Sequence, residues 1–99
     1  MFHKVARSED VTEGRGTIVV VNELKIALFR REGAVYAIKN QCPHMAGNLG
    51  EGTLEGDIVR CPEHGWPINV KTGQHPNTPL VAVRTFPAKE EEGHVYVDV

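Results

Sequence analysis

Hydrophobic positions in this chain come in short runs, and no window of about twelve residues sustains a 3.6-residue period. A partly apolar opening run, residues 2–6, predicts a strand. Residues 17–21, Thr-Ile-Val-Val-Val, are β-branched and too short for a helix, so they predict a second strand. Residues 25–30, with Ile26 and Leu28 on one face, and residues 34–38 predict two more. Asn22-Glu23 and Glu32-Gly33 turn the chain between these three runs, which together predict a meander of neighbouring hairpins. Further strands are expected at 58–60, at 68–70 and at 80–86, with Val81 and Val83 on one side of the last. A closing strand has Val95, Val97 and Val99 alternating with Tyr96 and Asp98. Between them lie a capped turn over 8–11 with Ser8 as its N-cap, a glycine-rich connection over 47–56, an extended loop over 75–79, and a charged turn over 87–93 with Glu90, Glu91 and Glu92 at a solvated tip. Ten glycines and six prolines cut the chain into these short pieces. The pattern predicts one all-β domain over 1–99, an antiparallel sandwich or barrel.

Charge and composition narrow the function. A formal net charge of −2 argues against nucleic acid as a partner, because phosphate binding needs a basic excess. No apolar run approaches the ~20 residues of a membrane span, and the first eight residues hold no signal-peptide-like apolar segment. A cytoplasmic protein with no membrane partner is expected. No nucleophile–base constellation, phosphate loop or G-x-G-x-x-G is legible, so the chain is expected not to be an enzyme.

The chemistry concentrates in two stretches, Cys42-Pro43-His44 and Cys61-Pro62-Glu63-His64, with sixteen residues, 45–60, between them. They hold both cysteines and two of the five histidines. A disulfide is disfavoured by the expected reducing compartment and by a histidine close to each cysteine. Thiolates with imidazoles suit zinc, copper or iron–sulfur chemistry. Structural zinc sites use two cysteines and two histidines, but commonly spaced C-x2-4-C and H-x3-5-H. Here each loop is mixed, and mixed loops suit a binuclear centre in which each loop spans both metals. A zinc-binding interaction module remains the alternative of another class.

The two loops with their flanks resemble the Rieske family. Cys42-Pro43-His44 followed by Leu49 and Gly52 is similar to its first cluster box, and Cys61-Pro62-Glu63-His64-Gly65-Trp66 with the downstream Thr72-Gly73 to its second. The resemblance implies a Rieske-like antiparallel sandwich carrying a small cluster-binding subdomain of two loops, about 41–52 and 60–70. It implies one [2Fe–2S] cluster, with Cys42 and Cys61 on the inner iron and His44 and His64 on the outer. The small ferredoxins of this family imply a soluble one-electron carrier, a monomer on its own, between a flavin-dependent reductase and the terminal oxygenase of a multicomponent dioxygenase or monooxygenase system. The small subunit of an NADH-dependent nitrite reductase shares the fold and is the nearer alternative.

The flanking residues refine this. Respiratory Rieske proteins add a disulfide between the loops; the corresponding positions here are Gly47 and Glu63. They also place hydroxyls near the cluster, at positions that match Trp66 and Ile68. With fewer donors to the cluster sulfurs, a low potential is expected. Pro43 and Pro62 extend the preceding cysteines, Gly47 and Gly65 are expected to let backbone N–H groups approach the cluster, and Trp66 to pack over the loops. His3, His75 and His94 have no cysteine near them in sequence and are expected to be surface or packing residues. Glu51, Glu55, Asp57 and Glu63 form an acidic set expected to steer a basic partner.

Overall fold

The computed structural model describes residues 1–43, 47–63 and 65–99. Among these residues twelve strands and two 3-10 turns follow in chain order: β1 (Phe2–Arg7), a turn (Ser8–Asp10), β2 (Thr17–Val21), β3 (Leu24–Arg31), β4 (Ala34–Lys39), a turn (Leu49–Glu51), β5 (Leu54–Glu55), β6 (Ile58–Arg60), β7 (Pro67–Asn69), β8 (Gln74–His75), β9 (Thr78–Ala82), β10 (Thr85–Phe86), β11 (Ala88–Glu91) and β12 (His94–Asp98). They form four antiparallel sheets, ordered β1-β12-β11, β10-β4-β3-β2, β5-β6-β7 and β8-β9. The all-β antiparallel fold is as expected.

The central four-stranded sheet explains the rest. Side chains of a strand alternate between its faces, yet Ile26, Ala27, Leu28 and Phe29 of β3 are all fully buried. Each face has its own core. Ile26 and Leu28 pack with Ala37, Phe86, Val95 and Val97 against the β1-β12-β11 sheet. Ala27 and Phe29 pack with Ile38 against Leu49, Leu54, Val59, Ile68 and both cysteines. The central sheet is therefore the partition between the body of the fold and the half that contains both cysteines.

Two-residue turns set the registers. Asn22 and Glu23 (φ 50° and 68°), Glu32 and Gly33 (53° and 83°) and Glu92 and Gly93 (51° and 80°) all lie in the left-handed region, as type I′ hairpin turns require. The third closes a segment expected as one charged turn over 87–93. Glu91 pairs with His94, so the charged segment over 87–93 is a strand and a tight turn. Glu90 is no solvated tip: its carboxylate takes two bonds from Arg30, at 2.9 and 2.8 Å.

Three other expectations are corrected. The turn after β1 is capped by Asp10, whose carboxylate accepts the Arg7 N–H at 3.3 Å, and Ser8 lies inside it. The extended loop over 75–79 is the hairpin of β8 and β9. The strand over 80–86 is two strands in two sheets, because the Val83 N–H turns aside to the Gly73 carbonyl at 2.8 Å, after which β10 joins β4.

Candidate metal centre

Each cysteine begins a loop that hydrogen bonds hold closed. The first loop leaves β4, and the Cys42 N–H donates to the Gly47 carbonyl at 2.9 Å while Gln41 and Asn48 bridge below it. The second leaves β6. The Cys61 N–H donates to the Trp66 carbonyl at 2.9 Å, the Gly65 N–H to the Cys61 carbonyl at 2.7 Å, and the Arg60 guanidinium to the Gly65 carbonyl at 3.1 Å. β7 then returns alongside β6, with Pro67 opposite Arg60.

The loops lie against one another. A Cβ built on Gly47 would stand 2.5 Å from the Cys61 Sγ and 3.1 Å from the Glu63 Cγ. Only glycine lets the first loop approach the second thiol so closely. Gly65 serves differently from the expectation: its φ is +70° and none of the described residues would lie within 4 Å of a Cβ built on it, so it is there for the turn, with its N–H spent on Cys61.

Cys42 and Cys61 are 2% and 1% exposed, carry no disulfide and sit in the same packed cluster. The fold thus places two buried cysteines, from two separate loops, in one packed cluster, with Gly47 of the first loop against the Cys61 thiol of the second. That half of the donor set fits a cysteine-held iron–sulfur cluster. His44 and His64 lie outside the described residues, as do Met45 and Ala46.

The surroundings sort the other candidates. Trp66 packs against this core and meets the His75 ring edge-on, 5.2 Å between centroids. His75 accepts the Asn77 N–H at Nδ1, 3.1 Å, in the turn of its hairpin. His3 and His94 belong to the β1-β12-β11 sheet, packed on the other core. Ile68 is fully buried beside the cysteines. Asp57 leaves the acidic set: Arg31 Nε donates to it at 2.9 Å and Lys71 Nζ stands 3.5 Å away. The Arg31 hydrogen bond holds its carboxyl below the usual carboxylate range against partial desolvation. Glu55 and Glu63 remain exposed, and Glu51 accepts from Asn48 at 2.7 Å.

Asn40 went unremarked in the sequence. It is 1% exposed, the one buried polar side chain among the described residues, and it bonds to Asn48 and Gly50. The only signal was an asparagine two residues ahead of a cysteine, which by itself is weak.

The comparisons with known proteins agree with this geometry. The model of the Rieske [2Fe-2S] domain matches residues 1–87. The ferredoxin component of the naphthalene 1,2-dioxygenase/salicylate 5-hydroxylase systems of a Ralstonia species is 40% identical over 88 residues, 88% of this chain and 85% of the relative. A solved complex of reduced oxygenase and oxidised ferredoxin in carbazole 1,9a-dioxygenase includes a chain that superposes with a TM-score of 0.82 at 36% identity, covering 97% of this chain and 91% of that one. A putative NADH-dependent nitrite reductase small subunit from Mycobacterium tuberculosis superposes at 0.88 with 24% identity, covering 98% of this chain and 93% of that one, which is a likeness of fold. The zinc reading falls with these matches. The chain belongs to the Rieske [2Fe-2S] family, and its cofactor is one Rieske-type cluster.

Proposed function

We propose that this protein is the ferredoxin of a multicomponent oxygenase system, receiving single electrons from a flavin-dependent reductase and delivering them to a terminal oxygenase. The observation that carries the reading is the pair of buried, unbridged thiols on two loops that meet at Gly47, in a chain 40% identical to an oxygenase-system ferredoxin. Cys42 and Cys61 bind the inner iron, and His44 and His64 the outer one. When bound, the cluster supplies a single reversible electron. The protein's part is to exclude water from the thiolates and hold the loops in one geometry, so that little rearranges when the charge changes. The domain takes in all of 1–99: β12, which lies wholly beyond the matched stretch, pairs with β1 along its length. The protein acts as a monomer on its own, in the cytoplasm. The nitrite reductase reading draws only on a likeness of fold.

The potential sits near the bottom of the Rieske window of about −150 to +300 mV. Neither Trp66 nor Ile68 carries a hydroxyl, and Ile68 is sealed into the core. A redox titration is expected to give a midpoint below zero; one above about +100 mV contradicts this account of the cluster's surroundings.

Electron paramagnetic resonance of dithionite-reduced protein, with iron and sulfide assayed on the same sample, tests the reading. A rhombic signal of low average g with two irons and two sulfides per chain is expected. A silent, colourless sample with stoichiometric zinc overturns it. Isolation with a haem-containing subunit would move the carrier to the nitrite reductase class.

A further inference from the structure

Beneath the main-chain bonds that close the first cluster loop, one buried residue, Asn40, ties the loop's base together. Asn40 follows the last residue of β4, and every hydrogen-bonding group it has is engaged. Its N–H donates to the Lys25 carbonyl at 3.1 Å, and its carbonyl accepts the Leu49 N–H at 2.8 Å. Its Nδ2 donates to the Asn48 Oδ1 at 2.8 Å, and its Oδ1 accepts the Gly50 N–H at 2.9 Å. Three of the four bonds go to residues 48–50, where the chain returns from the loop that contains Cys42. The fit is close on the receiving side, since a Cβ on Gly50 would stand 2.9 Å from the Asn40 Oδ1 and would strike Ile18. Asn48 extends the connection outward, its Nδ2 donating to the Glu51 carboxylate at 2.7 Å.

A buried polar network of this kind is costly unless complete, and specifies one geometry when it is. Here that geometry is the span between the two ends of the loop. Gly47, one residue before Asn48, is what meets the Cys61 thiol. Residue 40, two before Cys42, is tied to residues 48 and 50, just beyond Gly47. The distance from Cys42 to the second loop is thereby set from β4.

We propose that Asn40 is a positioning residue for the cluster: it does not ligate iron, but through Asn48 and Gly50 it fixes the first loop so that Cys42 and Gly47 keep their places relative to Cys61, and so governs how tightly the cluster is held and its electronic symmetry. This rests on Cys42 being a ligand. Outer partners of metal ligands characteristically change metal retention by about tenfold or more when removed.

The test uses cluster-loaded protein. The variants N40A, N48A and the double variant N48D/E51Q are compared with the parent for the rate of cluster bleaching in air, for the g values of the reduced cluster, and for thermal melting. N40A is expected to bleach about tenfold faster and to shift its g values while still melting cooperatively. If N40A does not fold, N48A carries the test, since it removes only the acceptor for Asn40 Nδ2 and the link to Glu51. N48D/E51Q restores that acceptor, and the glutamine amide at 51 takes over as donor so that no two carboxylates meet; it is expected to return both readings towards the parent. Bleaching and g values like the parent's in N40A, or in N48A where N40A does not fold, overturn the proposal, as does N48D/E51Q behaving like N48A. C42S is the separate control: if it keeps the parent signal, the ligand assignment is what fails.

Discussion

Gly47 carries the sharpest consequence at the scale of a residue. A methyl group there cannot coexist with the Cys61 Sγ at 2.5 Å, so either the first loop lifts or the thiol turns away. Gly47→Ala is expected to fold, because its neighbours on that side are a side chain and a surface glutamate, but to hold less than half the parent's iron and sulfide per chain. Chemical assay beside a circular dichroism melt checks this; full occupancy in the variant would mean that the loops are not in contact when loaded. The need for glycine here was partly legible. Its place beside the ligands signalled close approach, and the structure supplies the partner. For Gly65 the same signal misled, since a glycine required for positive φ and a glycine required for space look alike in a sequence. Asn40 shows the opposite limit. Its importance lies in what it meets eight and ten residues later, which no local pattern reveals.

Element by element, legibility followed the turns. The meander β2-β3-β4 and the alternation of Val95 and Val97 were readable because each rests on local chemistry: β-branched runs, period two, and turn dipeptides. Glu92-Gly93 was as readable as Glu32-Gly33, but the charges before it masked β11. Those charges are explained by a distant partner. Arg30 on β3 donates to the Glu90 carboxylate on β11, and also to the carbonyls of Val11 at 2.7 Å, Gly33 at 2.9 Å and Ser8 at 3.0 Å. It ties two sheets and two turns at once. The Arg30 hydrogen bond holds the Glu90 carboxyl below its ordinary range, against the opposing effect of partial burial. A carboxyl whose folded value is depressed adds stability above its unfolded value, about 4.3 for glutamate, and loses it as pH falls through the folded value. Glu90→Gln is therefore expected to cost about 1–2 kcal/mol at neutral pH, with the gap closing as pH drops below about 4. Urea titrations of both proteins at a series of pH values check this, and a gap that persists at low pH would assign the loss to packing rather than to charge.

At the scale of the whole molecule, the central sheet makes two cores out of one pattern. Sequence periodicity showed that β3 alternates, but not that both of its faces are covered, because Ala27 and Phe29 gain their burial from loops that become a packed layer only through their own closure. The division has a functional consequence. Phe29 lies in the cluster that contains Cys42 and Cys61, whereas Val95 lies in the other. Phe29→Leu removes part of a ring and is expected to cost about 1–2 kcal/mol; Val95→Ala opens a comparable or larger void and costs about 2 kcal/mol. If retention of the cluster tracked only global stability, Val95→Ala would bleach at least as fast. The partition predicts the reverse order: Phe29→Leu, the milder lesion by denaturant titration, bleaches faster and perturbs the reduced-state signal, while Val95→Ala keeps the parent's g values. The reasoning is that local opening of the loops, not unfolding of the whole chain, exposes the thiolates, and local opening depends on the layer beneath the loops. Equal bleaching rates scaled by stability would instead make the two halves a single cooperative unit.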